Sequence, residues 1–297
     1  MIKVAILCPY PLGEAPSQRF RVEQYISWLA TQHIHATCYP FLSSSAWEIF
    51  YQSNKPLTKS LQILLGFIRR LILLVKLFSV DYVFIHREAS PVGPPIFEWL
   101  IAKVLRKRIV YDFDDAIWLP NYSKQHRFIH RLKAYWKVKF IIRWAYRVSV
   151  GNEFLASYAS RYNAHVDVIP TTIDMDYHAL SAEPNRTTVP IIGWTGTHTT
   201  VDYLKPIVPA LEKLAPIHAF EFVVISNEPP SFFIPNLRFV RWNKSTEIED
   251  LSQFSIGVMP LEDTEWARGK CGFKALQYMA LGIPTIAANV GVNSTII

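Results

Sequence analysis

The sequence predicts an α/β fold built from two doubly wound domains, and three observations support this prediction. Short apolar runs rich in β-branched residues alternate with helical patterns along almost the whole chain. A polar, irregular stretch at residues 171–190, with Pro184 and Asn185 as breakers, interrupts the alternation. The chain has 297 residues, 50% of them hydrophobic, which is enough for two separate cores. We therefore expect one domain at residues 1–170, a linker at 171–190 and a second domain at 191–297.

The first domain is expected to contain six parallel strands. They are predicted at residues 3–8, 34–39, 82–86, 109–113, 148–150 and 166–169. A loop rich in Pro and Gly follows the first strand, and an amphipathic helix at about residues 18–32 follows the loop. Ligands of doubly wound sheets bind beyond the carboxyl ends of the strands, so we expect Arg19 and Arg21 beside that crevice. The loop lacks the G-x-G-x-x-G fingerprint, which disfavours a dehydrogenase.

The second domain shows the same alternation over fewer elements. Strands are predicted at residues 191–195, 220–225, 237–240, 256–259 and 284–287, with helices at about 201–214 and 246–253. The sequence ends ten residues after the last of these strands. A parallel sheet needs helices on both faces, so we expect this second domain to be incomplete.

The composition indicates an anionic partner and a reducing compartment. The formal net charge is +7 and the sequence pI is about 9.2, which fits a nucleotide, a membrane surface or a nucleic acid as partner. Cys8, Cys38 and Cys271 lie far apart in sequence, which favours a cytoplasmic protein over a disulfide scaffold or a zinc site. The first apolar run is short and is broken by Pro9, so we expect no secretion signal.

Two apolar stretches of the first domain carry basic residues. Residues 57–80 include Arg69, Arg70 and Lys76, so they do not form an uninterrupted transmembrane span; they fit a membrane-surface helix or a buried helix. Residues 124–147, which we predict as a second helix, contain eight Lys or Arg residues, no Asp or Glu, and interleaved aromatic residues. This pattern fits an anionic membrane surface, a single-stranded nucleic acid or a solvated helix face. We favour the inner membrane surface and expect no nucleic acid, because no RNA-binding motif accompanies the patch.

Three carboxylates mark the end of the fourth predicted strand. Asp112 and Asp114 share one face of the strand, and Asp115 begins the following loop. Such a cluster can orient a hydroxyl, accept its proton or hold a divalent cation, or it can simply form a turn and a helix cap. We favour a catalytic role for Asp114 and Asp115 without a metal. His86 ends the preceding strand beside the same crevice, where it either contacts substrate or is structural.

Residues 268–284 predict an anion site in the second domain. Arg268 and Lys270 lie in a loop, and Lys274 and Gln277 follow one turn apart on a short helix that a glycine ends. Cations and backbone N–H groups at a helix N-terminus bind anions, most often phosphate. The alternative is a solvated basic helix end.

Four stretches, taken in order, resemble a known family. They are residues 110–118 (VYDFDDAIW), 150–155 (VGNEFL) with 169–174 (IPTTID), 192–197 (IGWTGT), and 268–284 with the trailing 289–293 (NVGVN). Together they resemble the group 1 (family 4) glycosyltransferases of the GT-B type, shortened at the C-terminus. The resemblance covers nearly the whole chain, and the stretch at 268–284 is its most specific part.

The resemblance implies two Rossmann-like domains that face each other across a cleft, with the sugar-nucleotide donor in the second domain and the acceptor in the first. It implies transfer that retains the anomeric configuration and needs neither a metal nor a cofactor. By position, the backbone at Gly196 and Thr197 would approach the donor diphosphate. The cations offsetting its charge would be Arg268, Lys270 and Lys274, and Gln277 would lie near the ribose.

The chain departs from the family pattern at three places. The Arg and Lys that the family has after the first strand of the second domain have no clear counterpart in residues 197–201 (THTTV). The paired acids of the family fall here on Gly269 and Gln277, and an amide carries no charge although it still hydrogen-bonds a ribose hydroxyl. Many members have a His followed by an Asp where this chain has Asp114 and Asp115.

These observations predict an enzyme that moves a sugar from a nucleotide donor to a lipid-linked or cell-envelope glycan. Two alternatives remain open. One is a truncated, non-catalytic GT-B module that binds a nucleotide or a membrane. The other is a sugar-nucleotide epimerase of the same architecture.

Overall fold

The computed structural model describes residues 1–50, 55–120, 132–178, 189–198 and 200–297. The chain divides into two compact units, Met1–Thr171 and Thr172–Ile297. Each unit contains one parallel sheet with helices, so the predicted α/β fold is confirmed. Residues 179–188 of the predicted linker lie outside the described part of the chain.

The first unit is built on a six-stranded sheet in the order β2-β1-β3-β4-β5-β6. Its strands are β1 (Ile2–Cys8), β2 (Ile34–Pro40), β3 (Tyr82–His86), β4 (Arg108–Phe113), β5 (Arg147–Val150) and β6 (Val166–Val168). All six predicted strands are present, and every neighbouring pair is parallel. Because β1 lies between β2 and β3, the loops after β1 and β3 leave the sheet in different directions, which opens a crevice at their carboxyl ends.

The helices in the described part of the first unit are short, with one exception. They are α1 (Pro16–Arg21), α2 (Ile26–Thr31), α3 (Ser44–Phe50), α4 (Pro56–Lys76), α5 (Ile96–Trp99), α6 (Lys137–Trp144) and α7 (Glu153–Ala159). A 3₁₀ turn at Leu77–Ser79 extends α4, and a π-helical turn at Leu100–Val104 extends α5. The predicted single helix at 18–32 is wrong, because Val22 leaves helical geometry at φ −132° and the chain restarts through a 3₁₀ turn at Glu23–Tyr25.

The continuous basic helix predicted at 124–147 is also wrong. Residues 124–131 lie outside the described part of the chain, and Ala134 has a φ of +50°, which no helix continues through. Helix α6 therefore begins only at Lys137, and Arg147 already belongs to β5. Lys137 is buried, and its Nζ lies 2.8 Å from the Glu88 carboxylate, so this cation is internal and faces no membrane.

The second unit is built on a five-stranded sheet in the order β11-β10-β7-β8-β9. Its strands are β7 (Ile191–Thr195), β8 (Glu221–Ser226), β9 (Leu237–Arg241), β10 (Ile256–Met259) and β11 (Thr285–Ala287), as predicted to within one residue. The strands are again parallel. Apolar clusters cover both faces, one around Trp194 and Phe222 and the other around Phe254 and Tyr278.

The described helices of the second unit alternate with its strands along the chain. They are α8 (Val208–Leu214), α9 (Glu247–Ser252), α10 (Glu265–Arg268), α11 (Phe273–Ala280) and α12 (Asn293–Ile296). The predicted helix at 201–214 begins instead as a 3₁₀ stretch at Val201–Ile207, because Pro206 cannot supply a helical N–H donor.

Gly66 on α4 tests the packing of this helix. A Cβ at this position would lie 2.4 Å from the ring of Phe41, so Gly66→Ala forces the ring to move. An exposed helical Gly→Ala change usually stabilises by about 1 kcal/mol, whereas overpacking costs about 1–3 kcal/mol. We expect a net loss in the free energy of unfolding, measured by urea titration. Ser60→Ala, at an exposed site of the same helix, is the control and should not destabilise; a Gly66→Ala variant more stable than the natural chain would contradict the packing described.

Candidate functional site

The candidate site of the first unit lies at the carboxyl ends of four adjacent strands. The segment after β1 supplies Ser17 and Arg21, and β3 supplies His86 as its last residue. Asp112 lies near the end of β4, and Ser149 lies near the end of β5. Because parallel strands end on the same edge of a sheet, these side chains meet.

The buried carboxylate of Asp112 is the centre of this cluster. Arg21 Nε donates to Asp112 Oδ2 at 3.3 Å, and Arg21 Nη2 donates to the other carboxylate oxygen. Ser149 Oγ donates to Asp112 Oδ1 at 2.7 Å, and His86 Nδ1 lies 2.9 Å from Oδ2. Arg21 Nη1 also donates to the carbonyl of Ile169, just after β6. One carboxylate therefore ties α1 to β3, β4 and β5, and its arginine reaches the end of the sheet.

The electrostatic environment keeps Asp112 ionised. Burial by itself would raise the pKa of Asp112, but the charge of Arg21 and the hydrogen bond to His86 lower the pKa to about 2. An ionised carboxylate only accepts hydrogen bonds, so His86 Nδ1 must carry the proton that it donates to Asp112. The opposite ring nitrogen, Nε2, lies 3.0 Å from Ser17 Oγ. In neutral His86 this nitrogen carries no proton, so the Ser17 hydroxyl donates a hydrogen bond to it.

The two predicted catalytic carboxylates meet a different partner. Arg87, directly after β3, has a φ of +63°, and its amide donates to the carbonyl of Asp112 at 2.7 Å. Its guanidinium lies 2.9 Å from the Asp115 carboxylate and 3.3 Å from that of Asp114. Backbone in the left-handed region is costly for a residue with a side chain, and such strain is common at functional sites. Asp114 and Asp115 are therefore held together at the crevice, each beside the same cation.

The structure places His86 and Arg19, two predicted site residues of the first unit, in different surroundings. His86 lies inside the cluster, where it is fully buried. Arg19 is buried on α1, with its guanidinium 4.9 Å from the ring of Phe20, and the arginine that binds Asp112 is Arg21. The sequence analysis located Arg21 and Asp112 near the crevice without giving them a role, and it missed Ser17 and Ser149. The available signal was a charged residue inside the apolar β4 run, since a buried charge requires a partner.

In the second unit, Trp194 joins the end of β7 to α11. A Cβ at Gly196 would lie 2.3 Å from the Trp194 indole, so only glycine fits there. Lys274 Nζ lies 5.4 Å from the centre of the same ring. On the other side, the amide of Thr195 donates to the Tyr278 hydroxyl at 3.1 Å. The glycine turn and the lysine of α11 thus sit around one indole at the point where the strand order of this sheet reverses.

The backbone of this turn is already hydrogen-bonded within the protein. The amide of Gly196 donates to the carbonyl of Ile225 at 3.0 Å, and the amide of Thr197 donates to Thr200 Oγ1 at 3.1 Å. Gly196 therefore permits close packing, and a phosphate contact by the Thr197 amide would have to replace the Thr200 hydroxyl.

The remaining cations of the predicted anion site lie at the exposed end of α10 and in the loop after it. Arg268 forms an ion pair with Asp263, with Nε 2.6 Å from Oδ1. Lys270 Nζ lies 5.3 Å from the ring of Trp266. Gly291, in the loop after β11, packs against this segment, since a Cβ there would lie 3.0 Å from the Arg268 carbonyl oxygen.

Gln277 is less exposed to solvent than a ribose contact would lead one to expect. Its side chain is buried, and its amide Nε2 lies 3.4 Å from His178 Nε2. His178 is fully buried and its Nδ1 lies 2.9 Å from the Asp174 carbonyl. Within this unit, Gln277 therefore contacts His178, and Lys274 is the more accessible group of α11.

Among the described residues, no cluster of three or more His, Cys, Asp or Glu side chains has the geometry to hold a metal ion. None of the helices in the described part of the chain is long and apolar enough to cross a bilayer.

The fold is that of glycosyltransferases with the GT-B architecture. No protein-family model and no curated protein sequence matches the chain. Among solved structures, the catalytic domain of starch synthase IV from Arabidopsis thaliana, bound to ADP and acarbose, is similar with a TM-score of 0.63 and 10% identity. That match covers 99% of this chain and 84% of the synthase.

Two further structures give the same result. A glycosyltransferase from Rickettsia africae matches with a TM-score of 0.61 and 14% identity, over 98% of this chain and 80% of that protein. WaaG, a glycosyltransferase involved in lipopolysaccharide biosynthesis, matches with a TM-score of 0.60 and 12% identity, over 99% of this chain and 83% of WaaG. At these identities the likeness concerns the fold.

Removing the charge of Asp112 should destabilise the protein in a pH-dependent way. Asp112→Asn leaves Arg21 buried without its counter-ion, which costs about 3 kcal/mol of the free energy of unfolding near pH 7. The pKa of Asp112 falls from an ordinary 3.8 to about 2 on folding, so its stabilising effect is complete above about pH 4 and is lost as the pH falls towards 2.

Urea unfolding of the natural chain and the variant between pH 2 and 7 measures this difference. The gap between the two proteins should narrow below about pH 4. Asp167→Asn is the control, because Asp167 forms an exposed pair with Arg147 and should change stability much less. A gap that does not depend on pH would contradict the ionised state of Asp112.

Proposed function

We propose that this chain is a glycosyltransferase that moves a sugar from a nucleotide-sugar donor to a glycan or lipid-linked acceptor. The observation that carries the proposal is the reversal point of the second sheet, where the Gly196 turn and Lys274 surround Trp194 in a chain with the GT-B fold. The starch synthase of similar fold is described with bound ADP, which supports a nucleotide as the ligand of this fold.

The donor chemistry assigned to the second unit is electrostatic. Cleavage of a sugar–diphosphate bond leaves negative charge on the departing phosphate, and preorganised cations aimed at that charge lower the barrier. Arg268, Lys270 and Lys274 supply this charge in our proposal. The amides of Gly196 and Thr197 have partners within the protein, so the cations and not these amides carry most of the diphosphate binding.

The acceptor chemistry is assigned to the first unit. Asp114 and Asp115 lie at the crevice, where a carboxylate orients an acceptor hydroxyl and takes its proton. Arg87 fixes both carboxylates, and the cluster around Asp112 fixes the strand end that carries them. His86 reaches the crevice through Ser17, whose hydroxyl it holds.

The finer points remain part of the proposal. We propose retention of the anomeric configuration, and a reaction without a metal or a cofactor, from the family resemblance. Gln277 is buried, so it is less available for a ribose contact than the cations are for a phosphate contact. We therefore propose that the protein binds the nucleotide mainly through its diphosphate. A cytoplasmic setting is supported by the free thiols of Cys8, Cys38 and Cys271.

One observation favours a second function, the hydrolysis of an ester or amide. Ser17, His86 and Asp112 form a hydroxyl–imidazole–carboxylate chain with distances of 3.0 and 2.9 Å, which is the order found in serine hydrolases. Arg21 neutralises Asp112, which weakens its ability to stabilise a protonated His86, so we rank this function below sugar transfer. Labelling of Ser17 by a fluorophosphonate probe would select hydrolysis, and an unreactive Ser17 would exclude it.

A thermal-shift panel of UDP-, GDP- and ADP-sugars tests the donor site. We expect at least one nucleotide sugar to raise the unfolding temperature, because a ligand that binds only the folded state stabilises it. Lys274→Ala should raise the dissociation constant of that ligand at least about tenfold, because a charge-assisted contact is lost. Lys213→Ala, at an exposed lysine on α8, is the charge-matched control and should bind normally. An unchanged affinity in Lys274→Ala would remove Lys274 from the site.

The paired carboxylates are tested by turnover. Asp114→Asn and Asp115→Asn should each reduce sugar transfer, with the larger loss, roughly a hundredfold or more, at the residue that takes the acceptor proton. Donor affinity, measured separately, should stay within about twofold of the natural chain, because the donor contacts are assigned to the second unit. Full transfer by both variants would reject the catalytic role of the pair. Asp167→Asn serves again as the surface control.

A further inference from the structure

Helix α4 has its polar and apolar residues in an unusual arrangement. Its inner face carries Arg70, whose guanidinium is buried and donates to the carbonyls of Ala89, Tyr39 and Cys8 at 2.6, 2.6 and 2.8 Å. Burial lowers the pKa of Arg70 to about 10. Helices on a sheet normally turn their apolar residues inward and their charges outward.

The outer face of α4 is apolar. Its exposed residues follow the helical spacing of three and four residues and form one stripe, which we call the α4 stripe: Leu57, Leu61, Leu64, Leu65, Ile68, Leu71, Ile72 and Val75. Leu57 is 86% exposed, Leu64 and Leu71 are each 55% exposed, and Val75 is 72% exposed. With 1.5 Å per residue, the stripe is about 27 Å long. Single exposed apolar residues are common, but a continuous stripe of this length marks an interaction surface.

The apolar surface continues beyond α4. Phe78, in the 3₁₀ turn that follows, is also exposed. The neighbouring helix α5 packs beside α4 through Phe67 and Phe97, whose ring centres are 5.9 Å apart. Helix α5 exposes Trp99, and tryptophan is enriched where proteins meet the boundary between lipid and water.

The charges around the α4 stripe select among the possible occupants. Residues 55–80 contain basic side chains and not one Asp or Glu. Lys76, next to Val75, is exposed at the edge of the stripe, and Lys59 lies near its other end. Lysines in such positions bury their methylene chains and extend the amine to anionic head groups. An apolar face bordered by cations fits the surface of an anionic bilayer.

We propose that the α4 stripe is a membrane-docking surface that lies in the interface of an anionic bilayer. Its leucine and isoleucine side chains enter the acyl boundary, and the bordering lysines contact the phosphates of the head groups. This assignment replaces the segment at 124–147 as the site of membrane contact. It also favours a lipid-linked acceptor over a free glycan, an extension that rests on the proposed function.

Vesicle flotation of the full chain tests the proposal. The natural chain should float with vesicles of mixed phosphatidylglycerol and phosphatidylcholine, and at least about tenfold less with phosphatidylcholine alone. Leu64→Glu combined with Leu71→Glu should reduce flotation on the anionic vesicles at least tenfold. Both positions are more than half exposed, so the far-UV circular dichroism and unfolding temperature should stay those of the natural chain.

A matched control separates the stripe from exposed apolar residues in general. Ile217 is 70% and Phe233 72% exposed in the second unit, and the double change of these two residues to Glu should leave flotation within about twofold. Equal flotation of the Leu64→Glu, Leu71→Glu variant and the natural chain would overturn the proposal, as would equal binding to neutral vesicles.

A second copy of the chain is the other possible occupant of the α4 stripe, and it predicts a different result. If the stripe joins two copies of the chain, light scattering without lipid would show a dimer that the Leu64→Glu, Leu71→Glu variant converts to a monomer, and the natural chain would not float. That result would also overturn the proposal. Flotation needs neither a donor nor an acceptor, so its failure leaves the sugar-transfer assay unaffected, and failure of sugar transfer leaves the docking surface unaffected.

Discussion

The constraint on which the rest of the structure depends is that the first strand of each unit lies inside its sheet and pairs in parallel with a neighbour on each side. In the first unit β1 pairs with both β2 and β3, and in the second unit β7 pairs with both β8 and β10. Chain segments that leave neighbouring strands in opposite directions open a crevice at the carboxyl ends. Both candidate sites lie at such a reversal point, one carrying carboxylates and the other cations.

The two sites hold their charges in different ways. In the first unit the ion pair of Asp112 and Arg21 is buried, so it is screened little by solvent and fixes four strand ends in one arrangement. In the second unit Arg268 is exposed and paired with Asp263, and Lys270 lies over an indole. Exposed cations of this kind can exchange their partner for a phosphate at little cost. This difference suits the roles that we propose, because an acceptor hydroxyl must be oriented whereas a donor diphosphate brings its own charge.

The strands were predictable because parallel strands buried on both faces appear as near-continuous apolar runs. The direction in which an individual side chain points was not predictable. The sequence placed Arg19 and Arg21 equally close to the crevice, whereas in the structure Arg21 binds Asp112 and Arg19 lies against the ring of Phe20. The anion site predicted at 268–284 stays a prediction, and the burial of Gln277 against His178 depends on a residue about 100 positions away, which the motif could not show. Helical periodicity likewise located α4, yet it could not show that the leucine stripe faces outward.

The most direct test of the central claim is the release of nucleoside diphosphate from nucleotide sugars by the full chain, with detergent-dispersed lipid-linked glycans as acceptors. The account predicts release from at least one UDP-, GDP- or ADP-sugar, coupled to a heavier acceptor and unaffected by a metal chelator. No release from any donor, with a folded protein and with every acceptor tried, would contradict the proposal that this chain transfers sugar.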